Sequence, residues 1–247
     1  MKIGLQLYSV RDCIHSGEDF RKVLKEVKGM GYEGVEFAGY AGLTPEEIKD
    51  ALDESGLIAV SSHESVDRLE NNLEEIISYT LAHGAKIIAC SYSPTGSEAD
   101  LERLQRVMEA AKAAAEPHGI TMAYHNHSHE FLPLPDGIRP IDRIQQFSRL
   151  EPDTYWVYHS GVSPAQYLLE HAKDIALVHL KDGDENGHPC AVGEGKNDIA
   201  DILKASEKIG TEWVIVENDN PVPDGLSDVR RSMEWIKAAC MRPASPL

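Results

Sequence analysis

The chain has 247 residues, enough for one barrel-sized domain with a substantial core. Its 42% hydrophobic and 26% charged content is that of a folded globular protein and excludes a disordered one. The net charge of −17, from 24 basic and 41 acidic residues, opposes binding to nucleic acid or to an anionic membrane surface.

No apolar stretch approaches the ~20 residues of a membrane span. Met1-Lys2-Ile3-Gly4-Leu5 runs straight into a strand-like pattern with no signal-peptide character, so a cytoplasmic location is expected. Cys13, Cys90, Cys190 and Cys240 are far apart, form no CxxC pair and read as ordinary thiols of a reducing compartment.

In chain order, a strand at 3–9 precedes a helix whose Phe20, Val23, Leu24, Val27 and Met30 recur at helical spacing up to Gly31. A second strand at 34–38 is followed by Thr44-Pro45-Glu46-Glu47, a helix start with cap, first-turn proline and two acids suited to the helix dipole, ending at Gly56. The third strand is expected at 58–63, with Leu69, Leu73, Ile76, Ile77 and Leu81 marking helix before Gly84. Strands at 86–92 and 121–127 follow, the latter after Gly119. A sixth strand is expected near 155–159 and a seventh at 175–182. Ile199, Ile202, Leu203 and Ile209 then mark a helix closed by Gly210, and the eighth strand is expected at 213–218. Eight βα units without a large insertion predict an α/β fold, a single-domain (β/α)8 TIM barrel over residues 1–241, with a loose tail at 242–247; an open doubly wound sheet is the alternative.

Such barrels build chemistry at the C-terminal ends of their strands. The polar residues expected there are Gln6, Tyr8 and Ser9, then Glu36, then His63 and Glu64. His125, Asn126, His127 and Glu130 come next, then Asp153 or His159, then His179, Lys181 and Asp182. Glu217, Asn218 and Asp219 complete the set. Carboxylates and imidazoles from consecutive strands can converge on one divalent cation such as manganese, zinc or magnesium. Glu217, after Val214-Ile215-Val216, and His179, within Leu177-Val178-His179-Leu180, stand out because an unpaired charge in such surroundings is costly. Gly193-Glu194-Gly195 reads either as a phosphate cradle or as a plain turn. Tyr155-Trp156 reads either as a sugar-stacking wall or as core.

These motifs resemble the xylose-isomerase-like superfamily, and within it the sugar phosphate isomerases/epimerases. The resemblance spans nearly the whole chain. It rests on Leu5-Gln6-Leu7-Tyr8-Ser9-Val10-Arg11-Asp12, on the 31–40 segment around Val35-Glu36-Phe37, on Tyr124-His125-Asn126-His127 with Glu130-Phe131, and on Tyr155-Trp156-Val157. Val178-His179-Leu180-Lys181-Asp182, Val192-Gly193-Glu194-Gly195 and Val216-Glu217-Asn218-Asp219 complete it.

The resemblance implies one divalent metal ion held by groups of strands 5 to 8. Here these are His125, Asp153, His179 and Glu217, with His125 standing where many relatives carry a glutamate, or with His127 or Glu130 taking over that role. The family pattern selects Asp153 on strand 6, whereas local strand periodicity selects His159. Glu217, His125 and Lys181 are the implied catalytic groups, and Glu36, His63, His127, Trp156 and Glu194 the implied substrate contacts.

The implied reaction is isomerisation or epimerisation of a sugar through an enediolate, on a small sugar or sugar derivative and possible as a homo-oligomer. A metal-dependent lyase or hydrolase acting on a 3-keto-glycoside needs only one base and is the second reading. A metal-free barrel that only binds carbohydrate is the third. An endonuclease IV-like activity is disfavoured by the negative charge and by too few ligands for three metals.

Overall fold

The computed structural model describes residues 1–240. The expected loose tail at 242–247, like residue 241, lies outside the described residues. Eight parallel strands form the barrel: β1 Lys2–Gln6, β2 Gly34–Phe37, β3 Ile58–Ser65, β4 Ile87–Tyr92, β5 Thr121–His125, β6 Arg149–Glu151, β7 Val178–Leu180 and, as the eighth, β10 Trp213–Val216. They are hydrogen-bonded in the order β6-β5-β4-β3-β2-β1-β10-β7. The ring is completed between β6 and β7 by bridges pairing Leu150 with Ile175 and Asp153 with His179. The closed barrel therefore replaces the open-sheet alternative. A two-stranded hairpin, β8 Asp182–Gly183 and β9 Pro189–Cys190, extends from the end of β7.

The helices start and stop for local reasons legible in the sequence. The helix α1 Gly17–Met30 is capped by Ser16, whose side chain accepts from the Asp19 N–H. Thr44 and Glu47 form a reciprocal capping box at the start of α2 Pro45–Ser55. Gly31, Gly56, Gly84, Gly119 and Gly210 all adopt left-handed φ, as their positions after helical runs predict. The remaining helices are α3 Val66–Asn71, α4 Leu73–His83, α5 Glu98–Ala115, α6 Pro140–Ile144, α7 Thr154–His159, α8 Pro164–Glu170, α9 Ile199–Ile209 and α10 Gly225–Cys240.

Two apolar clusters fill the space between barrel and helices, one centred on Leu5, Val35, Val178 and Val216, the other on Ile88, Leu104, Met122 and Tyr124. A third, Val60, Leu177, Trp213 and Ile215, plugs the barrel itself. Gly34 makes room for that plug, since a Cβ there would lie 2.8 Å from the Ile58 carbonyl and 2.9 Å from the Trp213 ring. Above the plug, alternation along the strands turns Gln6, Glu36, His179, Lys181 and Glu217 inward, while Leu180 and Val216 face the helices.

One expected strand is wrong. Residues 155–159 are not β but lie in α7, and the sixth strand is the short β6. The cause is Asp153: its Oδ1 accepts the N–H groups of Tyr155 at 2.9 Å and Trp156 at 3.1 Å, which starts a helix directly after Pro152. The aromatic-rich run Tyr155-Trp156-Val157-Tyr158 imitates a strand by composition, but the cap decides its state.

Candidate metal centre

Four of the expected ligands meet. His125, Asp153, His179 and Glu217 each turn one donor atom into a common space in which all lie within 4.8 Å of one another, and all four are buried. His179 Nδ1 is 3.1 Å from Glu217 Oε2. His125 Nε2 is 3.8 Å from Asp153 Oδ2. Asp153 does double duty: Oδ1 caps α7, its own N–H donates to Asn126 Oδ1 at 3.1 Å, and Oδ2 is left facing the centre without a well-directed hydrogen bond. That buried oxygen has the Lys181 ammonium 3.2 Å away but no well-directed hydrogen bond, and the donor set of two imidazoles and two carboxylates fits a divalent cation. His159, the competing strand-6 residue, ends α7 against the Tyr155 and Trp156 rings, is exposed and is not among the converging donors.

Lys181 lies within the same cluster. Its fully buried Nζ is 3.2 Å from Asp153 Oδ2, 3.0 Å from Glu217 Oε2 and 2.6 Å from Asp219 Oδ2. Burial alone would lower its pKa, but the three carboxylates outweigh it and hold it above the ordinary value. Glu217 is the complement: burial would raise it, but Lys181 and His179 hold it well below the usual carboxylate range. Asp219 goes the other way, raised by burial in spite of Lys181.

Below this tier lies a second one, largely unforeseen. Glu36 was expected to touch substrate. Instead it is completely buried, accepting from Gln6 Nε2 at 2.6 Å and from Ser61 Oγ, with His179 Nε2 at 2.7 Å and His63 Nε2 at 3.0 Å. Its carboxylate thus orients the His179 ring from the side opposite Glu217, the arrangement by which a carboxylate fixes a metal-binding imidazole.

Glu151, not singled out by sequence reasoning, is also fully buried, 2.6 Å from His63 Nε2 and 3.5 Å from His125 Nδ1. Its signal was present as an acid two residues before Asp153, on the same face of an extended segment. Burial would lower His63, yet Glu36 and Glu151 raise it to about 10.

A cavity of about 530 Å³ opens onto the centre, lined by Tyr8, His63, Tyr92, His125, His127, Glu217 and Asp219. His127 is held down to about 2 by burial, with His125 and Lys181 adding to the effect, so its ring is neutral at ordinary pH. Glu130 is not available as a substitute ligand in the main cluster: it accepts from Tyr124 Oη at 2.8 Å and from the His127 N–H at 2.9 Å, bracing the loop after β5.

Of the two readings of Tyr155-Trp156, the stacking wall does not hold, for neither residue lines the cavity. Tyr155 is buried with its hydroxyl on the Asp184 carbonyl, and Trp156 packs beside Lys181 and His127 behind the cavity lining. The half-exposed rings at the cavity are Tyr8 and Tyr92. Glu64, also noted at a strand end, faces Tyr40 and Arg68.

Glu194 is a second correction. It is exposed and pairs with Arg231 at 2.7 Å, away from the cavity. Its loop does bind an anion, but an internal one: the N–H groups of Gly193, Gly195 and Asn197 all donate to the Asp182 carboxylate at 2.9–3.1 Å, as does Gly183 at 2.8 Å. A Cβ at Gly195 would stand 2.1 Å from Asp182 Oδ1, so only glycine admits this approach. Asp182→Ala leaves four N–H groups without their acceptor and is expected to cost about 3 kcal/mol of stability. A fall in melting temperature of roughly 10 °C would register it; an unchanged melting temperature would show that the loop is held by other contacts.

Comparison with known proteins agrees with this architecture. A family model described as xylose isomerase-like TIM barrel matches residues 24–239. The chain belongs to that family. A sugar phosphate isomerase/epimerase from Parabacteroides distasonis shares the fold at TM-score 0.82 and 20% identity, with 96% of this chain and 94% of that one covered.

Two other barrels of the same shape are a 3-keto-D-glucoside 4-epimerase from E. coli (TM-score 0.70, 19% identity, 96% and 99% covered) and a probable 3-DHS dehydratase from Bacillus anthracis (0.78, 12%, 96% and 99%). At these identities the likeness establishes the fold alone. A shorter match, 30% identical over 87 residues, is to pyruvate formate-lyase-activating enzyme of Clostridium pasteurianum; it covers 32% of this chain and spans about a third (36%) of that protein. Among the described residues no helix is long and apolar enough to cross a membrane.

Proposed function

We propose that this xylose isomerase-like barrel is a divalent-metal-dependent sugar isomerase or epimerase, acting by proton transfer at a carbon next to a carbonyl. The observation that carries this reading is the convergence of His125, Asp153, His179 and Glu217 at one end of a sugar-sized cavity. Manganese, zinc or magnesium held by these four would polarise a sugar carbonyl and stabilise the charge that develops as the proton leaves.

The chain's own groups supply the rest. Glu217, ionised throughout the ordinary pH range and lining the cavity, is the base. Lys181 Nζ neutralises the carboxylates around it and, behind Glu217 and Asp219 of the cavity lining, offsets the charge of an oxyanion forming there. Neutral His127 offers a hydrogen-bonding edge to sugar hydroxyls, and Tyr8 and Tyr92 offer apolar faces. Glu36 acts from below as a positioning residue rather than as a substrate contact, while His63 both braces the centre and lines the cavity.

One observation favours a second reading. Glu217 lines the cavity as a carboxylate held low, while Asp219 beside it is paired with Lys181 Nζ at 2.6 Å, so a single free base faces the space. A single base suits elimination from a 3-keto-glycoside, in which Glu217 takes the proton next to the carbonyl and returns it to the departing oxygen. Incubation with free keto-sugars and with 3-keto-glycosides in deuterated water separates the two. Deuterium next to the carbonyl with the glycosidic bond intact is expected. Release of the aglycone with no exchange into free sugars would replace the first reading by the second, and neither product would leave a carbohydrate-binding barrel.

A further inference from the structure

His125 and His179 each present both ring nitrogens to potential ligands. Upward, His125 Nε2 faces Asp153 and His179 Nδ1 faces Glu217. Downward, His125 Nδ1 faces Glu151 Oε2 at 3.5 Å and His179 Nε2 faces Glu151 Oε1 at 3.4 Å. His63 Nε2 joins this lower side, 2.6 Å from Glu151. The three imidazoles converge with ring centroids 4.5–5.0 Å apart. His63, His125, Glu151 and His179 thereby form a second group whose donor atoms lie within 4.8 Å of one another. Two atoms in it, His125 Nδ1 and Glu151 Oε1, are buried with no hydrogen-bond partner.

We infer that His63, His125, Glu151 and His179 form a second cation site, of zinc class, beneath the sugar-facing one and mutually exclusive with it. Three imidazoles and one carboxylate are the donors of a borderline cation, whereas the upper set, with two carboxylates, is the more oxygen-rich and suits manganese or magnesium. Tetrahedral zinc with bonds of about 2.0–2.1 Å holds its donors about 3.4 Å apart; Glu151 stands 3.5 Å from His125 and 3.4 Å from His179 through its two oxygens, and a bound ion would replace the 2.6 Å hydrogen bond between His63 and Glu151. His63 borders the cavity, which gives a cation its route in. Glu36 Oε1, against the same nitrogens of His63 and His179, supplies a further negative charge.

Exclusivity follows from the chemistry of imidazole. A neutral ring has one lone-pair nitrogen and one N–H. When His125 and His179 give their lone pairs to the lower tier, they turn N–H groups toward Asp153 and Glu217, and the upper tier loses two donors. Occupancy of the lower tier is thus incompatible with a fully ligated upper one.

The inference goes beyond the sugar chemistry above, and its test never asks for turnover, so the two can fail separately. Protein stripped with a chelator is loaded with one equivalent of zinc, and the zinc environment is read by X-ray absorption. Three imidazole ligands are expected; two would place zinc in the upper set and overturn the inference. Titration calorimetry with zinc and, separately, manganese then compares two variants. His63→Asn is expected to weaken zinc about tenfold or more and leave manganese nearly unchanged, while Asp153→Asn does the reverse. Parallel losses of both metals in both variants would mean one site, not two. Loading with both metals together is expected to give one ion per chain, and two would refute exclusivity. The absorption and mixed-loading measurements need no variant, so they decide the matter even where His63→Asn does not fold.

Discussion

Glu217→Gln is expected to lower turnover by about a thousandfold or more while leaving the fold intact. The substitution is nearly isosteric and keeps one carbonyl oxygen in place, so the plug of Val60, Leu177, Trp213 and Ile215 below it is undisturbed. It removes a negative charge that faces His179 Nδ1 at 3.1 Å and Lys181 Nζ at 3.0 Å, and with it the base. Metal affinity should fall as well, because an anionic ligand becomes a neutral one.

The two losses separate experimentally. Excess manganese restores occupancy by mass action but not proton exchange, since no base is regained. Because Lys181 and His179 hold Glu217 ionised well below neutrality, the deficit should be the same from pH 6 to pH 8. Deuterium exchange at the wild-type rate in metal-saturated Glu217→Gln would remove Glu217 from the chemistry.

The parts of this site that the sequence announces are those where a charge interrupts an apolar strand. His179 and Lys181 on either side of Leu180, and Glu217 after Val214-Ile215-Val216, are conspicuous because alternation sends them into the barrel while their neighbours face helices. Asp153 is legible by resemblance to the family pattern, though periodicity pulled the strand two residues past it. The strand before it has only three residues and ends at Glu151, too short to display a period, and the aromatic run beyond it has β composition inside a capped helix.

The same shortness hid Glu151. Glu36 was visible as a strand-end acid, but depth is not: nothing in Val35-Glu36-Phe37 says that Gln6, Ser61, His63 and His179 will saturate it from four other places in the chain. Glu194 misled for the opposite reason. The glycines around it do serve an anion, and that anion is Asp182 of the same chain, eleven residues before Gly193.

Lys181→Met should change stability, metal affinity and turnover in directions that no simple structural role would combine. The ammonium is fully buried among Asp153, Glu217 and Asp219. Without it, metal-free protein holds three carboxylates facing one another with no ammonium among them, and a loss of about 3–5 kcal/mol is expected, the usual cost of breaking a buried ion pair by removing one partner. Methionine keeps the length and most of the volume, so the loss reports charge rather than a cavity.

Metal affinity should move the other way. The ammonium shares Asp153 and Glu217 with the candidate ligands and repels any cation placed beside them, so its removal should tighten manganese by about tenfold or more. Turnover should nonetheless fall about a hundredfold, because the positive charge that offsets a developing oxyanion is gone. Calorimetric titration of the stripped variant, thermal melts with and without manganese, and the deuterium-exchange rate at saturating metal measure the three effects. A variant that melts lower, binds manganese more tightly and exchanges slowly fits Lys181 as both counter-charge to its carboxylates and electrostatic stabiliser of the oxyanion. A variant that melts lower and also binds manganese more weakly would reduce Lys181 to a brace for its carboxylates. Undiminished exchange at saturating metal would exclude the oxyanion role whatever the affinity.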